Sequence, residues 1–326
     1  MLFLHILLFT CVTFASAKRN KAWYLMPDDG GHGIHLVNML HKATEIDESS
    51  IVSNVTLYLY TRNDEGSEMD CENIGGFNTV WPTVVLSHGW MSESSDLDHI
   101  KNAYMTAGDY NVISVDWSPI ANNLIYTQVT AELVIVGRYV ATVLDCLVET
   151  HGLDLSRVHL VGHSLGAHVV GVIGGSLSEE KKVAFLTGLD PAGPGYDDDL
   201  KPGNDSMLDK GDAEFVQIIH TNTAVLGYEF VLGDADFFPN GGSKQAGCGG
   251  DWLGDCSHMR STQYFAESVT SPSAFLGYQC DDWNTYSSCY GRPWAAMGAH
   301  VDPSNTKGVY FMKTASSSPY GLGLLG

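Results

Sequence analysis

The sequence predicts an α/β fold, a largely parallel sheet with helices on its faces, and three observations predict it. Six short apolar, β-branched runs recur at 55–60, 82–87, 111–116, 158–162, 184–190 and 214–220. A stretch at 131–150 lies between the third and fourth, with Leu133, Val136, Val140, Val143, Leu144 and Leu147 at helical spacing. The segment 158–171, VHLVGHSLGAHVVG, passes from strand to helix character through a glycine-flanked serine. Strands alternating with helices in this way build a parallel sheet covered by helices.

Each element has its own reason. Residues 1–17 carry an apolar run and then Ala15-Ser16-Ala17, the pattern of a secretory leader, although no Lys or Arg precedes the run. The run is too short to span a bilayer. Residues 18–326 are expected to form one domain, with no internal repeat and no Pro/Ser linker. The strand at 82–87, PTVVLS, empties into His88-Gly89-Trp90, where Gly89 lets the chain turn. The strand at 158–162 feeds Gly162-His163-Ser164-Leu165-Gly166, a strand–turn–helix elbow. A side chain at 162 or 166 would collide with neighbouring chain there, and the strained turn lifts the Ser164 hydroxyl above the sheet edge. The strand at 184–190 ends on Asp190, and Pro191 blocks its continuation.

A serine nucleophile needs a base, an acid that orients the base, and an oxyanion hole. In elbows of this kind the partners follow in the order Ser, acid, His. Asp190 stands where the acid belongs, although a turn-capping Asp suits such a position equally well. His220, His258 and His300 lie downstream. His220 ends a strand-like run and reads as a hydrogen-bonded structural histidine. His300 sits in a glycine- and alanine-rich tail with nothing to pin it. His258 follows Cys256 by two residues and opens a helix-like run at 259–268, so it is the favoured base. The oxyanion donors are expected at the backbone amides of Leu165 and Trp90.

SHGW at 87–90, GHSLGAH at 162–168, TGLDPAGP at 187–194, DFFPNGG at 236–242 and CSHMRS at 256–261 occur in this order. Together they resemble the animal pancreatic-lipase family of α/β-hydrolases, over about Trp23 to about Met312. The resemblance implies an α/β-hydrolase fold and carries the family's triad to Ser164, Asp190 and His258, and its oxyanion donors to Trp90 and Leu165. It also implies that the C-terminal β-sandwich domain of the relatives is missing.

Of seven cysteines, Cys11 falls in the leader, and an even set remains. An even set in a secreted chain implies disulfides, but many pairings are open from sequence alone. The resemblance suggests Cys248–Cys256 and Cys280–Cys289, leaving Cys71–Cys146. A zinc site would want closer Cys and His pairs. Asn54 and Asn204 each begin an N-glycosylation acceptor, provided they are exposed. The net charge of −21 argues against nucleic acid and disfavours an anionic membrane. The Asp197-Asp198-Asp199 run reads as a solvated loop. Family relatives bind calcium after the Asp190 strand. Here Asp209 and Asp212 match acidic positions, while Met207 and Asn204 replace the other ligand-region residues. No cofactor is required, and any structural calcium is weak.

Specificity is expected in the loops around the elbow. Residues 249–255, GGDWLGD, are too short for a lid helix, and the segment from His220 to Asp236 is also compact. Relatives with both loops short resemble the phospholipase A1 branch. The expectation is therefore a secreted serine esterase acting on glycerolipid esters at a membrane or micelle surface, most of all as a phospholipase A1. No dedicated protein cofactor is expected, and no residue pattern specifies an oligomer. With so short a loop, the site is expected to stand open, with Trp252 at the loop tip able to dip into lipid. The alternatives are a neutral triacylglycerol or galactolipid lipase and, outside enzymes, a lipid-binding storage protein like the insect yolk proteins. The intact Ser164, Asp190 and His258 argue against the last.

Overall fold

A computed structural model describes residues 23–29, 33–178, 182–196 and 204–325. The leader at 1–17 and the acidic run at 197–199 lie outside the described residues, as does the side chain of Asn204. The amino-terminal strands β1 (Trp23–Pro27) and β2 (Ile34–Asn38) pair antiparallel as a small separate sheet. After helix α1 (Glu48–Val52) come β3 (Thr56–Thr61), β4 (Asp64–Met69) and β5 (Thr83–Ser87). Helix α2 (Asp98–Ala107), strand β6 (Asn111–Asp116), the short α3 (Ser118–Ala121) and the long α4 (Tyr126–His151) follow. The elbow joins β7 (Val158–His163) to α5 (Leu165–Ser176). The remaining elements are β8 (Phe185–Leu189), β9 (Phe215–Ile219), β10 (Ala235–Pro239), α6 (Asp255–Thr270), β11 (Leu276–Gln279), β12 (Trp294–Ala296) and β13 (Gly308–Met312).

Among the described residues the main sheet has eleven strands, in the order β12-β11-β13-β10-β9-β8-β7-β5-β6-β3-β4. From β6 through β13 all neighbours run parallel, and antiparallel strands finish both edges. This is the α/β-hydrolase architecture, and the six expected strands make up its centre and one flank.

Strand alternation assigns the two faces. Val85, Ile113, Leu160 and Leu186 point into one core with α4 and α5. Val84, Leu86, Val112 and Val161 point into the other, against α2 and α6. Helix α4 starts before the expected stretch, and all six apolar positions read from the sequence are buried. It ends at Gly152 in the left-handed conformation, whose N–H caps the Leu147 and Val148 carbonyls. The disulfides are Cys71–Cys146, Cys248–Cys256 and Cys280–Cys289. The first ties the β4 side of the sheet to α4, and the second closes the loop before α6. No helix among the described residues is long and apolar enough to cross a membrane. Asn54 is exposed.

Candidate active site

The site lies beyond the carboxyl ends of β5, β7 and β8, where open α/β sheets gather function. Ser164 sits between β7 and α5 at φ 56° and ψ −123°. A non-glycine residue held there stores of order 1–3 kcal/mol, so its surroundings must enforce the turn. A Cβ on Gly162 would fall 2.1 Å from the Gly166 carbonyl oxygen, and one on Gly166 would fall 2.2 Å from that of Ser87. Both obstacles are backbone. The glycines are therefore a condition of the elbow's geometry, as the sequence reading held.

Asp190 follows β8 at φ 44° and is fully buried. Its Oδ1 accepts the backbone N–H groups of Thr221 at 2.7 Å and Asn222 at 2.9 Å. Its Oδ2 lies 2.5 Å from His258 Nδ1. His258 stands in the first turn of α6, and its backbone N–H donates to the Gly254 carbonyl at 2.8 Å. The Ser261 hydroxyl donates to the His258 carbonyl at 2.9 Å, and the His163 ring packs on the imidazole at 4.5 Å. Helix and disulfide loop together fix the imidazole orientation. Burial pushes His163 down to about 4, so it is a neutral neighbour.

The two expected amides come from buried residues, Trp90 and Leu165. Leu165 opens α5, so its N–H belongs to the first helical turn, where backbone donors have no partner within the helix. Trp90 follows Gly89 in the loop after β5. The Trp90 indole donates to the Asn123 carbonyl at 3.0 Å and packs edge-on against Tyr126. The Trp117 indole donates to the His88 carbonyl at 3.0 Å and pins the other end of the loop.

The other two downstream histidines are bound elsewhere. His220 is buried, with Nε2 2.9 Å from Asp236 Oδ1 and its ring stacked on Phe238. His300 Nε2 lies 3.0 Å from the Val269 carbonyl. Asp209 and Asp212 come together with Asp205, Met207 and Arg138 around a cavity of about 260 Å³. Burial, and then Asp209, push the Asp212 carboxyl up to about 7. With a thioether and a guanidinium at the same cavity, the donor set fits Ca²⁺ poorly.

One functional group was missed by the sequence reading, and it corrects the expectation of an open site. Asp29, just after β1, is buried in the active site. Its Oδ1 lies 3.4 Å from His258 Nε2, and its Oδ2 lies 3.8 Å from His163 Nδ1. A Cβ on Gly89 would fall 1.8 Å from Asp29 Oδ2 and 2.8 Å from Ser164 Cβ, so the carboxylate lies directly beside the serine. The Asp29 N–H donates to the Trp90 carbonyl at 3.2 Å. Met26, Pro27 and Asp29 roof the space over Ser164, leaving a cavity of about 10 Å³. That is about the room of one water molecule.

His258 therefore faces a carboxylate at each ring nitrogen. Burial opposes its charge, but Asp190 and then Asp29 outweigh it and hold the imidazole well above its ordinary value. Burial likewise pushes Asp29 up. His258, then His163 and the Ser164 hydroxyl, overcome it and hold Asp29 below the usual carboxylate range. No local pattern marks Asp29. The DDGG at 28–31 reads as a turn, and the contacts with 164 and 258 are remote in sequence.

A strained strand–serine–helix elbow, with an Asp-bound histidine facing it at the ends of parallel strands, defines an α/β-hydrolase. The Lipase family model matches residues 35–320. Mouse (Mus musculus) Lipase member H is 31% identical over 298 residues, covering 82% of this chain and 64% of that protein. Pancreatic triacylglycerol lipase of Myocastor coypus is 34% identical over 248 residues, covering 68% of this chain and 52% of that protein. Phospholipase A1 of the wasp Vespula maculifrons is 32% identical over 252 residues, covering 73% and 83%. The chain belongs to the Lipase family. It spans about two thirds of the length of the first of these relatives, about half of the second and most of the third.

Proposed function

We propose that this protein is a secreted serine esterase that hydrolyses glycerolipid acyl esters, chiefly as a phospholipase A1. The observation that carries the reading is the juxtaposition of the strained Ser164 elbow with the Asp190–His258 pair at 2.5 Å. Ser164 Oγ attacks the ester carbonyl carbon and passes its proton to His258 Nε2. Asp190 holds the imidazole tautomer with Nδ1–H facing it and stabilises the cation that forms. The Leu165 and Trp90 amides receive the oxyanion, and each such donor is worth about 10²–10³ in rate. The tetrahedral species collapses, and the leaving alcohol takes the proton from His258. Water, deprotonated by the same imidazole, then frees the fatty acid and restores Ser164. No step needs a metal or a cofactor.

Overall identity does not separate the two substrate classes, because the triacylglycerol lipase and the phospholipase A1 match about equally well. The loops favour phospholipid. Residues between Cys248 and Cys256 form only turns and bends before α6 begins, so no lid helix stands there, and Trp252 at the tip is 90% exposed. A loop this short offers little apolar wall to hold three acyl chains. The deciding experiment is hydrolysis of phosphatidylcholine labelled separately at each acyl position, beside a long-chain triacylglycerol. Release from the sn-1 position at the higher rate is expected. Preferential cleavage of the triacylglycerol would move the assignment to a neutral lipase.

A further inference from the structure

His163, His258 and Asp29 come from places remote in sequence: the end of β7, the first turn of α6 and the residues just after β1. All three are buried, and each turns a lone pair toward the same point. His258 Nδ1–H donates to Asp190 Oδ2 at 2.5 Å, so the neutral ring carries its lone pair on Nε2. His163 Nε2–H donates to the His258 carbonyl at 3.4 Å, so its lone pair is on Nδ1. Asp29 Oδ1 lies 3.4 Å from His258 Nε2, and Oδ2 lies 3.8 Å from His163 Nδ1. One donor atom from each of the three falls within 4.8 Å of the other two. Among the described residues no group hydrogen-bonds to Asp29 Oδ2, although that oxygen is buried. A buried carboxylate oxygen set against an imidazole lone pair calls for a cation between them.

We propose that His163, His258 and Asp29 form a binding site for a transition-metal dication, Zn²⁺, and that the bound ion switches the esterase off. Zn²⁺ with three protein ligands at about 2.0–2.2 Å holds its tetrahedral donors roughly 3.3–3.6 Å apart. The gaps of 3.4 and 3.8 Å close on such an ion with small shifts. The fourth position falls to a water, for which the cavity of about 10 Å³ over Ser164 has room. Two imidazoles and one carboxylate are a zinc donor set, whereas Ca²⁺ and Mg²⁺ take shells of oxygen.

The surroundings of the ligands agree. Metal-bound histidines ordinarily give their other ring N–H to a carboxylate or a carbonyl, which fixes the tautomer and the ring. Both do so here, His258 to Asp190 and His163 to the His258 carbonyl. The Asp29 backbone is held by its N–H bond to the Trp90 carbonyl at 3.2 Å. A proton on His258 satisfies the same carboxylate, so the ion binds by displacing that proton. An ion on His258 Nε2 then occupies the lone pair that must take the Ser164 proton, and turnover stops until the ion leaves. That consequence rests on the esterase reading; the site itself rests on the side-chain geometry.

The test uses the full chain, cleared of metal by a chelator and dialysed. It is titrated with Co²⁺, whose visible absorption reports a tetrahedral shell, and Zn²⁺ is then added as competitor. In parallel, Ser164 is trapped by a soluble alkyl p-nitrophenyl phosphonate, read by mass spectrometry. A tetrahedral Co²⁺ band that saturates at one ion per chain and is lost on adding Zn²⁺ is expected. Trapping is expected to be lost in proportion to the sites Zn²⁺ fills, and to be unaffected by Ca²⁺ or Mg²⁺ at the same concentration. Asp29→Asn and His163→Gln each remove one ligand, and the isosteric Asp29→Asn serves should His163→Gln fail to fold. Loss of an outer-shell partner costs ~10–100-fold in metal affinity, so loss of a ligand should raise the Zn²⁺ concentration for half-effect at least ~10²-fold. Each variant is compared with itself, with and without Zn²⁺. Absence of the tetrahedral Co²⁺ band overturns the proposal. So does an unchanged half-effect concentration in either folded variant, which would place the ion elsewhere, or loss of trapping with Ca²⁺ as with Zn²⁺. If metal binds as expected while no ester is hydrolysed, the site stands and the esterase reading fails. Hydrolysis without metal binding fails the site alone.

Discussion

In the proposed mechanism Ser164, Asp190 and His258 divide the chemistry among a strained turn, a strand end and a helix start, and each is held by backbone bonds of its own. Ser164→Ala is therefore expected to stay folded and to lose at least ~10³ of its esterase turnover. His258→Ala is expected to lose about as much. His220→Ala differs in kind. It leaves Asp236 with the Leu232 and Gly233 amides alone. It should cost about 1–3 kcal/mol in stability while turnover per folded molecule is kept. Urea melts beside active-site titration separate the two effects, and a folded, inactive His220→Ala would reassign the base. Asp29 adds a pH signature. His258 must be neutral to act as base, and its value is raised by Asp190 and then Asp29. The rising limb of kcat/KM on a soluble ester is therefore expected to be displaced to alkaline pH. Asp29→Asn removes one of the two carboxylates, so that limb should move to lower pH; an unmoved limb would remove Asp29 from the imidazole's environment. Linkage has the same sign: stability from the raised His258 is fully present below its ordinary value and is lost as pH rises through the raised one.

At the scale of elements, the elbow tolerates no addition. An alanine at 166 would meet the Ser87 and His88 carbonyl oxygens at 2.2 and 2.4 Å. These belong to the same loop that presents Trp90, so relief of the clash must displace the oxyanion donors. Gly166→Ala is expected to lower Tm and to cut turnover by at least ~10², since a shift of about 1 Å suffices for that. Thermal melts with single-turnover acylation check it, and retained acylation would show that the loop yields harmlessly. The sequence was legible where burial was complete. The central strands β5 to β9 are buried along nearly their whole length and rich in apolar, β-branched residues, and the α4 stripe repeats at helical spacing. Elements with mixed surroundings were not legible. β1, WYLMP, has exposed Trp23 and Leu25 and buried Met26 and Pro27, so apolar residues occupy both sides and no alternation appears. β4, DEGSEM, is a polar edge strand, and β11 has four residues and a glycine. The candidate triad could be read from sequence because each member sits on a motif with a backbone reason. Asp29 was not, because its role depends on a segment folding back over β5 and β7.

At the scale of the whole molecule, charge and apolar docking act against each other on an anionic membrane. The chain carries −21, from 38 acidic and 17 basic side chains. The exposed Trp23 and Leu25 of β1 and Trp252 can bury apolar surface in any fluid bilayer, but a phosphatidylserine-rich surface repels the body that carries them. That repulsion acts through solvent and is screened over about 10 Å at 0.1 M salt, whereas burial of tryptophan and leucine is not. Sedimentation with vesicles should therefore show strong adsorption to phosphatidylcholine at every salt concentration. Adsorption to phosphatidylserine-rich vesicles should be weak at low salt and rise as salt is added. Adsorption to phosphatidylserine that equals phosphatidylcholine at low salt would mean that net charge does not govern the approach.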